Sequence, residues 1–206
     1  LVTAGPTREY LDSVRFLSTP STGRMGYAIA AEAARRLHKV ILISGPVEVS
    51  PPQGVELVKV ISASDMLTAS LSAFAECDAA IMAAAVCDYR PIRPSRQKLP
   101  KHTKPFSIEL EPTPDICATL GETKGERIVV GFALEDHDHV EHAEAKLRRK
   151  GCDAIVMNDV RTVGSLNAEV RVLRADTGWQ APASGTKEQV AALVVDLVEA
   201  LFARHT

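Results

Sequence analysis

The chain has 206 residues, 46% of them hydrophobic but only 4% aromatic, and a formal net charge of −2. That length and apolar content supply one full core of Ala, Val, Ile and Leu, which suits a sheet covered by helices. The balanced charge excludes an overall basic field for nucleic acid, and no apolar run approaches the roughly 20 residues of a membrane span.

Leu1 to Ala4 reads as a buried first strand, and GPTREYLDSVRF as a long loop carrying Arg8, Glu9, Asp12 and Arg15. The stretch VRFLSTPSTGRMGY, Val14 to Tyr27, is small and polar in its middle and then passes into an Ala-rich run. That run predicts a helix from about Gly23 to Leu37. Such a loop leaves N–H groups unpaired at the positive end of a helix, which favours phosphate. The plainer reading is that Ser21 or Thr22 only caps the helix. Neither the Walker lysine pattern nor the dinucleotide glycine pattern is present.

Lys39 to Ser44 is a continuous apolar strand, and Val55 to Val60 alternates as a strand near an edge does. Ser62 or Ser64 caps a helix with Met66, Leu67, Leu71 and Phe74 as its stripe. Ala79 to Val86 reads as a buried strand ending abruptly in Cys87-Asp88-Tyr89-Arg90. In a doubly wound sheet such a polar end falls at the carboxyl edge, where ligands bind.

From Pro91 to Pro105 the composition shifts to a basic loop with Arg93, Arg96, Lys98, Lys101 and Lys104, which reads as a flap over a polyanion. Phe106 to Leu110 alternates as a strand. Pro112-Thr113-Pro114-Asp115-Ile116 opens a helix, and Arg127 to Ala133 is another buried strand. A helix from about Val140 to Lys150 sets Lys146 and Lys150 one turn apart. Cys152 to Met157 is the next strand, ending in Asn158-Asp159. Glu169 to Leu173 and Trp179 suggest a β pair turning at Asp176-Thr177-Gly178, and Lys187 to Arg204 a closing amphipathic helix. The βα alternation predicts one α/β domain over residues 1–206: a Rossmann-like three-layer sandwich with a mainly parallel sheet and a small β extension near 160–180.

Cys77, Cys87, Cys117 and Cys152 form no C-x-x-C pair and read as buried free thiols of a cytoplasmic protein. The start at Leu1, directly in a strand, predicts a piece of a longer polypeptide. His137-Asp138-His139 with His142 has the letters of a metal cluster, but reads as a solvated helix start. Cys87 beside Asp88 lacks a histidine pattern and reads as a strand-end residue, not a nucleophile. Asp88 with Lys98, Lys101, Lys146 and Lys150 is the set a nucleoside triphosphate needs: lysines for phosphate charge and one carboxylate for Mg²⁺.

VTAGPTREYLDSVRFLSTPSTGRMGYAIA, AAAVCDYRP, Lys98-Leu99-Pro100-Lys101, PTPDI, VVGFALE, AKLRRKGCD and VMND occur in this order. Together they resemble the phosphopantothenate–cysteine ligases of bacterial type. The resemblance implies that 4'-phosphopantothenate, CTP and L-cysteine are the substrates and that Mg²⁺ accompanies the nucleotide. It implies an acyl-cytidylate intermediate, a homodimer, and fusion to a flavin-dependent decarboxylase domain.

By position, the resemblance implies nucleotide contacts at Gly23, Met82, Ala83, Ala84, Asp88, Lys98, Lys101, Pro114, Asp115, Ile116, Cys117, Phe132, Lys146 and Lys150. Asp88 would also face the cation. Gly26 shares the glycine loop with Gly23. Arg15 and Tyr89 would hold the phosphopantothenate end, Tyr89 reaching across a dimer interface. Lys98 and Thr19 would be catalytic, Thr19 also touching substrate. Pro100 stands where the family's flap has a middle lysine. Thr19 stands where the family has an Asn that contacts the acyl-cytidylate, and offers one hydroxyl in place of an amide. Two rivals follow: a nucleotide-binding paralogue with impaired ligation, and a Rossmann-type oxidoreductase. Against the second, the first βα turn lacks G-x-G-x-x-G and the second strand ends without an acidic ribose partner.

Overall fold

The computed structural model describes residues 1–101, 103–135, 139–159 and 167–203. Six parallel strands form the centre of the main sheet: β1 (Val2–Ala4), β4 (Val40–Ser44), β5 (Val55–Lys59), β6 (Ala79–Met82), β9 (Ile128–Glu135) and β10 (Ala154–Asp159). Their order across the sheet is β5-β4-β1-β6-β9-β10. The order reverses direction between β1 and β6, so the connections leave a crevice there.

Alternation along these strands makes two cores. Val40 and Leu42 face one layer, with α1 (Arg24–Arg35) and α5 (Lys187–Phe202). Ile41 and Ile43 face the other, with α2 (Ala63–Phe74), α3 (Ile116–Thr123) and α4 (His139–Arg149). The Ala-rich sequence of α1 lets it lie close to the sheet. At Gly26 a Cβ would meet Ala4 Cβ at 2.6 Å and Thr3 O at 3.0 Å. Opposite faces of the sheet are thus filled by small and branched residues, with few aromatics needed.

The expected β extension belongs to the main sheet. β11 (Asn167–Arg174) pairs antiparallel with β10, and β12 (Gly178–Trp179) and β13 (Ala183–Thr186) both pair with β11. The turn at Asp176-Thr177-Gly178 lies as expected; residues 160–166 of the predicted extension lie outside the described residues.

GPTREYLDSVRF is not a loop. β2 (Arg8–Tyr10) and β3 (Phe16–Ser18) form an antiparallel hairpin. Asp12 closes its tip by accepting the N–H groups of Val14 and Arg15, each at 2.8 Å. Glu9 fastens the hairpin to α2 by accepting the Ala63 N–H at 2.8 Å.

β6 ends at Met82, earlier than expected. Ala84 donates its N–H to Thr3 Oγ1 and Ala85 to the Gly5 carbonyl, so this segment follows the β1–β2 turn and leaves the sheet. Phe106 to Ile108 are exposed and form no strand; pairing begins only at β8 (Leu110–Pro112), against β7 (Tyr89–Pro91). Among the α2 caps, Ser62 makes a reciprocal box with Asp65, and Leu71 is exposed instead of joining the buried stripe.

Candidate functional site

At the carboxyl edge, where the strand order reverses, a cavity of about 870 Å³ opens. Thr3, the segment from Met82 to Val86, Phe132 to Leu134, and Asn158 form its floor, from the ends of β1, β6, β9 and β10. The starts of three helices, α1, α3 and α5, supply Gly23 to Gly26, Asp115 to Cys117, and Lys187 to its wall.

The start of α1 has no side-chain cap. Its N-cap residue is Gly23, at φ +73°, and neither Ser21 nor Thr22 accepts from the first turn. Ser21 Oγ instead accepts the Gly23 N–H at 3.3 Å. The first turn also carries no acidic residue. Its amide groups therefore keep their capacity for an anion.

Gly5, also at φ +73°, ends the turn after β1, and a Cβ on Gly23 would lie 3.4 Å from Gly5 Cα. Gly26 then gives the close helix–strand approach already described. These are the three glycine roles of a dinucleotide-type turn, with the β2–β3 hairpin inserted between the first and second. The contiguous pattern is absent from the sequence, yet its geometry is present.

Five basic side chains line the cavity: Arg24, Lys146, Arg149, Lys150 and Lys187. Two carboxylates oppose them, Asp88 and Asp115. Asp115 caps α3 by accepting the Ala118 N–H at 3.1 Å, and pairs with Lys150 Nζ at 3.1 Å. Burial raises the Asp115 pKa, but the Ala118 N–H and the Lys150 charge outweigh it and hold the carboxyl below its ordinary range. Lys187 is pushed below the usual lysine range, by burial first and then by Arg24. Two cations facing each other at helix starts make a place where negative charge is welcome.

The structure brings together Thr19, Gly23, Met82, Ala83, Ala84, Asp88, Tyr89, Pro114, Asp115, Ile116, Cys117, Phe132, Lys146 and Lys150. Lys98, Lys101 and Arg15 stand outside the cavity lining. The Arg15 guanidinium is committed to Asp12 and to the Leu99 carbonyl. His137 and Asp138 lie outside the described residues. Among the described residues, no group of three or more His, Cys, Asp or Glu is placed to hold a metal, and no helix is long and apolar enough to cross a membrane. The four cysteines are free thiols, three of them buried and Cys77 partly so.

Sequence reasoning gave no role to Arg24, Lys187 or Asn158. The Asn158 Oδ1 is buried at the cavity floor with no hydrogen-bond partner among the described residues. Its position at a strand end was visible; the orphaned acceptor was not.

A Rossmann-like α/β domain with an electropositive cleft at its topological switch point is the class these features define. Residues 1–201 match the model of the DNA/pantothenate metabolism flavoprotein C-terminal domain, and the chain belongs to that family. It is 39% identical over 207 residues to the coenzyme A biosynthesis bifunctional protein CoaBC of Haemophilus influenzae, covering 99% of this chain and 51% of that protein. It is 45% identical over 166 residues to a cysteine/cysteine sulfinic acid decarboxylase of an unknown prokaryotic organism, covering 80% of this chain and 46% of that protein. The crystal structure of the C-terminal domain of a coenzyme A biosynthesis bifunctional protein CoaBC superposes with a TM-score of 0.84. That pair is 39% identical, over 98% of this chain and 94% of that one. The chain spans about half the length of the curated relatives it matches.

Proposed function

We propose that this domain is a CTP-dependent phosphopantothenate–cysteine ligase. The observation that carries the reading is the cleft at the switch point, where an uncapped, glycine-lined helix start faces a ring of basic side chains. The match to the C-terminal domain of a CoaBC protein over nearly the whole of both chains supports it.

The carboxylate of 4'-phosphopantothenate attacks the α-phosphorus of CTP. The bond to the β-phosphate oxygen breaks and pyrophosphate leaves. The cysteine amine then attacks the acyl carbon, losing a proton as the amide forms and CMP departs. A carboxylate becomes a good acylating group only when its oxygen leaves as phosphate, so the domain's task is positioning and charge stabilisation.

Lys146, Arg149 and Lys150 hold phosphate charge from the α4 side, and the start of α1 with Arg24 and Lys187 from the other. Phe132 and the free Oδ1 of Asn158 suit a base with an exocyclic amine. In this reading Thr19, on the cavity lining, meets the acyl group as it is handed to cysteine. Lys98 and Lys101 reach the phosphates only if the basic loop moves from its anchor on the hairpin.

Asp88 carries no ion pair among the described residues and is an exposed carboxylate at the cavity. A single free carboxylate fits Mg²⁺, which keeps several waters and shares phosphate oxygens. When bound, the cation would neutralise charge on the triphosphate. A homodimer with Tyr89, which is 54% exposed, at the contact is part of this reading. So is a fused partner domain, which the relatives' bifunctional names support.

The test is pyrophosphate release from CTP with 4'-phosphopantothenate and Mg²⁺, with and without L-cysteine. Sustained release only with cysteine establishes the ligase. A single burst indifferent to cysteine favours the paralogue stalled at the cytidylate. No release in either case overturns the ligase reading.

A further inference from the structure

Two thiols meet beneath the cavity wall. Cys117 is the second residue of α3 and lines the cavity, and Cys152 lies just before β10. Their Sγ atoms are 3.4 Å apart and both residues are buried. β9 carries a glycine, Gly131, beside the pair. A Cβ on Gly131 would lie 3.3 Å from Cys152 Sγ and 3.5 Å from Cys117 Sγ. The Cys152 backbone is fixed by its N–H bond to the Leu147 carbonyl at 3.2 Å.

The two thiols are not equivalent. The two Sγ atoms share a hydrogen bond, which lowers the Cys117 pKa against burial, and Lys150 lowers it further. The same contact, followed by burial, pushes Cys152 up. A thiolate facing a basic cavity is the nucleophile of thiol chemistry; a buried neutral thiol beside it is the group that resolves.

We propose that Cys117 and Cys152 are a peroxide-responsive dithiol site in the wall of the cleft, with Cys117 oxidised first and Cys152 closing the disulfide. The Cys117 thiolate attacks the distal oxygen of a hydroperoxide. The O–O bond breaks, the leaving oxygen takes a proton, and Cys117 becomes a sulfenic acid. Cys152 sulfur then attacks the Cys117 sulfur; the S–O bond breaks and water leaves with the Cys152 proton. Two thiols give up two electrons and the peroxide accepts them.

Drawing the sulfurs to bonding distance pulls the start of α3 toward the loop that carries Lys150, where Asp115 and Ile116 line the cleft. The consequence for nucleotide rests on the function proposed above: the oxidised protein binds CTP more weakly, and bound CTP slows the oxidation.

The experiment treats the whole chain with hydrogen peroxide near neutral pH and maps its peptides without reduction. The expected product links the peptides of Cys117 and Cys152, with two hydrogen atoms lost, and Cys117 is consumed about tenfold faster than Cys77. Cys77 is the more exposed thiol, so accessibility alone would order them the other way. In Cys152→Ser, dimedone traps the sulfenic acid at Cys117. Oxidation of Cys77 or Cys87 first, or absence of the linked peptide, overturns the proposal, as does a Cys152→Ser protein with no dimedone adduct at Cys117. The peptide map needs no ligase activity, so a failed pyrophosphate assay and a failed dithiol are separate results.

Discussion

Asp12 and Leu99 are 87 positions apart, yet the Leu99 N–H donates to Asp12 Oδ2 at 3.0 Å. Arg15, bound to the same carboxylate, donates to the Leu99 carbonyl at 2.6 Å. Ser95 adds its N–H to the Leu11 carbonyl at 2.9 Å. The hairpin tip thus grips the basic loop on the residue beside Lys98. Asp12→Asn removes the charge that orients Arg15. We predict faster proteolysis within residues 92–109, read on the intact chain. An unchanged cleavage rate would show that the clamp does not hold the loop.

The Asp12 carboxyl is held well below its ordinary range, chiefly by the Arg15 backbone N–H, with the Val14 and Leu99 N–H groups and the Arg15 side chain adding to it against burial. A depressed carboxyl stabilises the fold above its unfolded pKa, and that contribution fades as pH falls through the folded value. Asp115 acts in the same sense. Acid unfolding of Asp12→Asn should therefore lose part of its dependence on pH below about 4. Parallel acid titrations by circular dichroism would read this; superimposable slopes for the two proteins would count against it.

Asp115 both caps α3 and holds Lys150. Its replacement by alanine should cost about 1 kcal/mol from the cap. For a chain of this size that lowers Tm by about 2–4 °C. It also frees Lys150 toward the cleft. The expected pattern in calorimetry and CTP titration is a less stable protein whose affinity is kept or improved. A weakened affinity would mean that Lys150 needs its partner for placement.

Lys187 and Arg24 face the cleft from separate helices. Lys187→Gln should weaken CTP binding about tenfold, equivalent to about 1.4 kcal/mol. Because the Lys187 pKa is lowered, wild-type affinity should fall with rising pH sooner than an ordinary lysine allows. That step should vanish in the variant when calorimetric titrations are compared across pH. A retained step would assign it to another group.

Thr19 lines the cleft with a hydroxyl that has no hydrogen bond among the described residues. Under the ligase reading, Thr19→Asn should accelerate amide formation once the cytidylate is made. Rapid-quench measurement of cytidylate decay with cysteine checks this. Equal decay in both proteins would remove any role for the threonine.

Much of this fold was legible because the central strands are buried on both faces. Runs such as Val40-Ile41-Leu42-Ile43 cannot be anything but interior, and each ends in polar residues at one edge of the sheet. The hairpin escaped notice because REY and FLS are three residues long, mixed in polarity, and held by Asp12 and Glu9 to distant backbone. Phe106 to Leu110 misled in the opposite way: alternation without a sheet face to bury it is not a strand. At the cleft, residues on strand ends and helix starts were readable. Lys187 was not, because it reaches the cleft only through the return of α5 across the sheet. Gly5 and Gly23 hid their partnership because an inserted hairpin separates them in the chain.

The first and last helices are sewn together by Arg36, just past the end of α1. It binds Asp196 at 2.5 Å and Glu199 at 2.9 Å, and also Glu32 at 2.8 Å. Its α5 partner Asp196 lies 160 positions further on. At ribosomal speeds that separation lasts on the order of ten to thirty seconds. Through that interval α1 can rest on β1 and β4, but its contacts with α5 are unmade. The layer over β1 and β4 is therefore completed only once α5 has been made, and until then α1 is the stretch a ribosome-associated chaperone would meet.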